Sequence, residues 1–176
     1  MSLDKVPSGP KGKIPDIFYT IIEVPKGSSI KYEWNKETGV LFVDRVLYSS
    51  LSYPGDYGTI PKTLSGDGDP LDAIVLVSNP NFPGTILPCR PIGLLKTSDE
   101  SGEDIKIIAV PTEKVDPRFE EVKDIKDVPK HILKEIKYFY EHYKDLEPKK
   151  WVKVEGFKGK ADAKKEIKKS IENYKG

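Results

Sequence analysis

The chain has 176 residues, with 29 Lys+Arg against 28 Asp+Glu and a formal net charge of +1. That length fits one domain, and the near-balance of charge excludes both the basic excess of a nucleic-acid-binding chain and an acidic disordered tail. A lone Cys89 excludes an intramolecular disulfide or a cysteine-rich zinc site, and 2 histidines leave little for a His-based metal centre. No apolar run approaches the ~20 residues of a membrane span, and the first residues carry no apolar leader. The expectation is a single cytoplasmic domain over residues 1–176, with no membrane partner. Residues 1–13 are expected to form a poorly ordered arm, because Ser8-Gly9-Pro10 and Lys11-Gly12-Lys13 offer nothing to bury.

In chain order, residues 16–24 carry Ile17, Phe18, Tyr19, Ile21 and Ile22 and stop at Pro25, which predicts a strand. Residues 30–34 alternate strictly, with Lys31 and Glu33 on one face and Ile30, Tyr32 and Trp34 on the other. Strands are also expected at 40–46, 73–77 and 104–110. Residues 86–96 contain Pro88 and Pro91, so that strand is expected to be bent or at a sheet edge. After Asp127 the pattern changes. Ile132, Ile136, Phe139 and Tyr143 recur at helical spacing, and Ala163, Ile167, Ile171 and Tyr174 form a second stripe. Six or so short strands followed by two helices point to an α+β domain, mainly β, built on a small antiparallel sheet or barrel.

The chemistry concentrates in Asp67-Gly68-Asp69-Pro70-Leu71-Asp72. Carboxylates this close repel one another unless water or cations neutralise them. Pro70 fixes one φ and holds Asp69 extended, so the loop is stiff. Stiff, hard oxygen donors suit Mg²⁺, which demands near-octahedral geometry; an acidic turn before a buried strand is the plainer alternative. An EF-hand fails on spacing, since Leu71, Asp72 and Ser78 stand where its Asp/Asn, Gly and Glu belong. A second acidic group, Asp99-Glu100 and Glu103-Asp104, follows about thirty residues later. Lys31, Arg45, Lys106 and Lys144, with Tyr53, Tyr57 and Tyr143, complete an inventory suited to phosphate chemistry on Mg²⁺.

Several further blocks accompany that loop in order: Ile22-Glu23-Val24-Pro25, Ile30-Lys31-Tyr32-Glu33, Phe42-Val43-Asp44-Arg45, Tyr53-Pro54-Gly55-Asp56-Tyr57-Gly58, Cys89-Arg90-Pro91-Ile92-Gly93, Asp99 to Lys106 and Phe139 to Glu147. Together they resemble the soluble family I inorganic pyrophosphatases of prokaryotic type, over nearly all of residues 14–174. The resemblance implies an OB-like five-stranded barrel with helices packed around it. It implies Mg²⁺-dependent hydrolysis of pyrophosphate to two phosphates, by in-line attack of a metal-bound water and with no covalent intermediate. By position, Asp67, Asp72, Asp99, Asp104 and Glu23 would be metal ligands, and Asp69 would accept the proton of the attacking water. Lys31, Arg45, Tyr57, Lys106, Tyr143 and Lys144 would bind pyrophosphate or the leaving phosphate, and Glu33 belongs to the same pocket. Tyr53 and Glu100 would stand behind these contacts. Asp56 departs from the family pattern, in which a neutral residue often precedes the second tyrosine.

Prokaryotic relatives usually assemble as hexamers of two trimers. The resemblance therefore places a third helical stripe, His131, Glu135, Tyr138 and His142, at a subunit contact, with Tyr138 and His142 buried. Two other readings remain at this level: an OB-like binding barrel, which would want a basic groove with stacked aromatics, and a Mg²⁺-dependent nucleotide phosphohydrolase. The three loop aspartates are expected to divide their roles. Asp72→Asn should weaken metal binding and lower turnover together, whereas Asp69→Asn should mainly lower turnover and flatten or shift the pH profile. Wild-type turnover across pH in Asp69→Asn would remove it as the base.

Overall fold

Ile17 to Val24 is apolar apart from Thr20 and Glu23, and its strand, β1 (Phe18–Val24), is buried on both faces apart from a half-buried Tyr19. The computed structural model describes residues 5–174. The strands that follow are β2 (Ile30–Asn35), β3 (Val40–Val46), β4 (Asp56–Thr59), β5 (Asp72–Val75), β6 (Ile86–Asp99) and β7 (Gly102–Pro111). Helix α1 (Lys130–His142), β8 (Val152–Gly159) and α2 (Lys160–Asn173) complete the order. Among the described residues no helix is long and apolar enough to cross a membrane.

Five strands close into a ring. β1 pairs antiparallel with both β4 and β6; β4 pairs with β5, β5 with β7 in parallel, and β7 with β6. Taken in chain order, the ring runs first, second, third, fifth, fourth, the Greek-key closure expected of an OB-like domain. β8 adds to the outer part of β6, and β2–β3 form a separate hairpin. Closure leaves the ring strands without long free edges.

The helices cover opposite sides because alternate residues of the ring strands point opposite ways. Ile107 and Ala109 of β7 join Phe18, Ile22, Leu71 and, from α2, Ala163 and Ile167. Ile108 and Val110 instead join Val24, Ile74, Leu95 and, from α1, Ile136, Phe139, Tyr140 and Tyr143. The α1 stripe expected on the core face packs there, although Ile132 is only half-buried. Backbone approach is closest where β4 crosses β1. A Cβ on Gly58 would lie 1.9 Å from the Ile21 carbonyl oxygen, so only glycine lets β4 carry Tyr57 to its place.

Three expectations need correction. Of the two readings of β6 the edge fails and the bend holds: the strand pairs with β1, β7 and β8 in turn, and its register shifts beside Pro91 and again at Lys96. Its prolines are tolerated because each sits where only one neighbour pairs: Pro88 faces Tyr19 of β1, and Pro91 faces Ala109 of β7 beside a bulge. Two strands were not read from the sequence. β4 has four buried residues with no periodicity, and β8 lies between the helices, with Val152 and Val154 half-buried and Lys153 and Glu155 exposed. The N-terminal segment, within its described residues 5–13, is packed rather than loose. Val6 and Ser8 are buried, Tyr19 N–H donates to the Ser8 carbonyl at 2.8 Å, and Gly9 lies against Ile17 and Phe18. Residues 1–4 lie outside the described residues.

Asp56 is fully buried and faces away from the acidic loop. Its carboxylate accepts the Lys26 N–H at 2.8 Å and, from Asn81, the backbone N–H at 3.0 Å and the side-chain amide at 2.7 Å. It ties two loops together and does not line the cavity described below. Cys89 packs as a small apolar residue, fully buried, and burial pushes its thiol up to about 12.

Candidate active site

A cavity of about 430 Å³ opens between the ring, the β2–β3 hairpin and the C-terminal end of α1. Each strand delivers its polar groups for a local reason. β5 and β7 run parallel with Asp72 directly opposite Lys106, and Asp104 lies two residues before Lys106 on the same face. Lys106 Nζ sits 2.5 Å from Asp72 and 2.6 Å from Asp104, with the lysine side chain only 5% exposed. β1 bulges between Ile22 and Val24, so Glu23 leaves the regular pairing and reaches the cavity. β3 bulges between its pairings with Lys31 and Tyr32, so that consecutive residues Asp44 and Arg45 both line the cavity.

The acidic loop turns through Gly68 at φ 90, a left-handed conformation that glycine adopts at little cost. Asp69 N–H donates to Asp67 Oδ1 at 3.0 Å, and the Asp69 carbonyl accepts the Ser65 N–H at 2.7 Å. Opposite it, the β6–β7 hairpin presents Asp99, which accepts the Ser101 N–H at 2.8 Å and pairs with Lys144 at 2.9 Å. Arg45 is gripped by two carboxylates. Its Nη2 donates to Glu147 at 3.2 Å, its Nε lies 3.0 Å from the other Glu147 oxygen, and its Nη1 contacts Asp44.

Every residue given a metal, substrate or proton-transfer role from the sequence lines this one cavity: Glu23, Lys31, Glu33, Arg45, Tyr57, Asp67, Asp69, Asp72, Asp99, Asp104, Lys106, Tyr143 and Lys144, with Tyr53 and Glu100. Glu103 of the second acidic group does not. Sequence reasoning assigned no role to Asp44, Glu147, Tyr140, Trp34, Lys36, Thr59 or Lys150, which line it too. Asp44 was hidden by strand alternation, which forbids two neighbours on one face unless a bulge intervenes. Tyr140 was hidden because helical spacing marked it as core.

Ten carboxylates and six cations line the cavity, a formal charge of −4. Burial raises the Glu23 carboxyl to about 8, with Asp72 and Glu33 adding to the rise, even though it accepts the Trp34 N–H at 2.9 Å. Burial likewise raises Asp67 and Asp104, and neighbouring carboxylates add to both. Burial alone would lower the Lys106 ammonium, but Asp72 and Asp104 outweigh it and hold it well above its usual value. Burial works against the Asp99 carboxylate, yet Lys144 and the Ser101 N–H hold it below the usual range.

The donor chemistry fits hard divalent cations: only oxygen ligands, in excess over the fixed cations, several of them too buried to ionise without positive charge nearby. As the side chains stand, the described residues contain no cluster of three ligands closed around one point. The Lys106 ammonium occupies the space between Asp72 and Asp104, so an ion shared by them requires that contact to open. Three buried side-chain polar atoms at the cavity wall also lack protein partners: Trp34 Nε1, Thr59 Oγ1 and the Tyr140 hydroxyl.

The inorganic pyrophosphatase sequence profile matches residues 20–175. The chain belongs to the inorganic pyrophosphatase family. It is 54% identical over 167 residues to the inorganic pyrophosphatase of Aquifex pyrophilus, covering 94% of each chain. Identity to the inorganic pyrophosphatase of Saccharolobus solfataricus is 52%, covering 95% of this chain and 97% of the other. The crystal structure of the inorganic pyrophosphatase from Thermus thermophilus superimposes with a TM-score of 0.94 at 45% identity, over the full length of both chains. Membership joins the closed ring and the polar cavity to one family architecture.

In a pyrophosphatase site built this way, a buried Lys106 is the neutralising charge for two half-buried carboxylates. Lys106→Met should cost about 3–5 kcal/mol of stability in chelating buffer, the cost of breaking a buried pair. Added Mg²⁺ should return more stability to the variant than to the wild type. Urea unfolding with and without the ion measures both; an unchanged midpoint in chelator would show that the lysine carries no such load.

Proposed function

We propose that this chain is an inorganic diphosphatase that hydrolyses pyrophosphate to two phosphates and depends on Mg²⁺. The observation that carries the reading is the single cavity in which ten carboxylates face six cations, on a chain of this family. A basic groove with stacked bases, the requirement of a nucleic-acid barrel, is the opposite of this wall.

Asp67, Asp72 and Asp104, with Asp99 and Glu23, would hold the divalent ions. When bound, Mg²⁺ supplies Lewis-acid neutralisation of phosphoryl oxygens and acidifies water. The protein's own groups do the rest. Lys31, Arg45, Lys106 and Lys144 cancel the charge of pyrophosphate, which would otherwise repel both the acidic wall and the nucleophile. Tyr57 and Tyr143 donate phenolic hydrogen bonds, and burial keeps Tyr57 protonated well above its usual value. Asp69, with a side chain 75% exposed and Lys36 at 3.7 Å, stands where a water can reach it and accepts the proton as that water attacks phosphorus in line. The P–O bond to the bridging oxygen breaks, and the cations stabilise the departing phosphate. Glu33 contacts Lys31 and so holds one of those cations at the cavity edge. Glu147 and Asp44 do the same for Arg45.

A cytoplasmic location belongs to the same reading, supported by a lone, buried, unpaired thiol at Cys89. So does a homohexamer of two trimers with Tyr138 and His142 at a contact. Its support is an exposed aromatic pair on α1: Tyr138 is 56% exposed, its ring centroid lies 4.4 Å from that of His142, and His142 Nδ1 is 2.7 Å from Asp145.

Two outcomes follow. Phosphate release from pyrophosphate should require Mg²⁺, should exceed release from ATP, and should be inhibited by Ca²⁺, which binds oxygen donors at longer distances and with higher coordination. Full activity in excess chelator, or equal rates with both ions, would sink the reading. His142→Glu should shift sedimentation at micromolar concentration from hexamer toward trimer with the fold intact, and an unchanged hexamer would remove His142 from the contact.

A further inference from the structure

Tyr140 is the one phenol of the cavity wall whose hydroxyl is buried without a protein partner. Its side chain is 2% exposed, and its hydroxyl oxygen has no hydrogen bond. An unsatisfied buried hydroxyl is unfavourable, and in a core helix phenylalanine would fill the same space without that cost. The ring is held from two sides, edge-on to Phe139 at 5.2 Å and edge-on to Tyr143 at 5.7 Å, so the hydroxyl cannot swing away to find solvent. The charged groups that act on it are Lys106, Asp72 and Asp104, the inner wall of the cavity. Burial raises the phenol well above its usual value, so it keeps its proton and remains available as a donor.

We propose that the Tyr140 hydroxyl is a further substrate-contacting group, donating a hydrogen bond to a phosphoryl oxygen held beside Lys106. This assignment rests on the reading of the cavity as a pyrophosphate site. Tyr57 and Tyr143 line the cavity with it, and the Lys106 ammonium lies 5.7 Å from the centre of the Tyr57 ring, so phenols from β4, α1 and the residue that caps α1 share the wall that holds Lys106. Lys106 supplies charge without direction, because an ammonium is a rotatable point donor, whereas a ring locked by its neighbours supplies direction. The proposal explains why a helix position facing the core carries a polar tip that no protein group satisfies.

The test compares Tyr140→Phe with the wild type in Mg²⁺ buffer, since phenylalanine keeps the ring and its packing. Inorganic phosphate is titrated calorimetrically as the probe, and pyrophosphate hydrolysis is followed in parallel. Loss of one hydrogen bond to a charged acceptor should weaken phosphate binding about ten- to a hundred-fold and lower kcat/KM by a similar factor. The ligand-free melting temperature should stay level or rise, because an orphaned hydroxyl has been removed. Unchanged phosphate affinity and kinetics would overturn the proposal, and so would a fall of several degrees in the ligand-free melting temperature, which would reveal a structural partner. If the wild type releases no phosphate from pyrophosphate, the functional reading fails by itself, while the phosphate titration still decides the role of the hydroxyl.

Discussion

The parallel pairing of β5 with β7 is the constraint on which the site depends. Parallel strands cannot be joined by a tight turn, so the long antiparallel β6 must intervene and close the ring through β1. That closure sets the register in which Asp72 faces Lys106 and Asp104 shares its face. A shift of one residue would send Lys106 into the apolar layer and bring Ile105 or Ile107 to the cavity. The ion cluster and the hydrophobic core are therefore two readings of one register. Apolar burial of Ile107 and Ile108 on either side of β7 holds the strand in place, and the carboxylates inherit their positions from it.

Charge in the cavity is arranged as a surplus rather than a balance. Each of the six cations touches at least one carboxylate, yet Glu23 and Asp67 have no ion-pair partner among the described residues, and burial raises both. A fully paired cavity would gain little from a divalent ion, because its charges would already be satisfied. Surplus carboxylates, Glu23 on β1 and Asp67 in the loop before β5, instead favour added cations, while lysine heads can transfer from carboxylate to phosphate. Arg45 is built differently. Glu147 and Asp44 grip its guanidinium from the α1–β8 segment and from β3, which fixes its plane and leaves its remaining donors for a ligand.

Local irregularities aim the side chains that regular strands could not. The bulge at Glu23 turns a charged residue out of a strand otherwise buried on both faces, and the bulge in β3 lets Asp44 and Arg45 reach the same space. Gly58 serves the same end, since its missing side chain allows β4 to close on β1 and set Tyr57 against Tyr53, 5.4 Å away.

Much of this was legible in the residues alone. The turn of the acidic Asp67–Asp72 loop, a strand at residues 30–34 and the helical stripe through Ile136, Phe139 and Tyr143 are local patterns that local sterics and apolar period decide, although Trp34, expected on the face opposite Lys31 and Glu33, lines the cavity with them. The motif blocks were legible for the same reason: each is a short run whose chemistry survives as a string. What the chain order could not decide is anything set by a partner distant in sequence. β4 is a strand because β1 and β5 flank it, β6 tolerates two prolines because its neighbours change along its length, and the N-terminal segment is packed because Tyr19 and Phe18 offer it a surface. Tyr140 looked like core and is core, but it also lines the cavity together with Lys106, from a strand more than thirty residues earlier. Sequence determines which groups the chain owns and which local conformations they allow. Only tertiary structure determines which of them share a volume small enough for their charges to act on one another, because Coulomb energy depends on distance through space and is blind to distance along the chain.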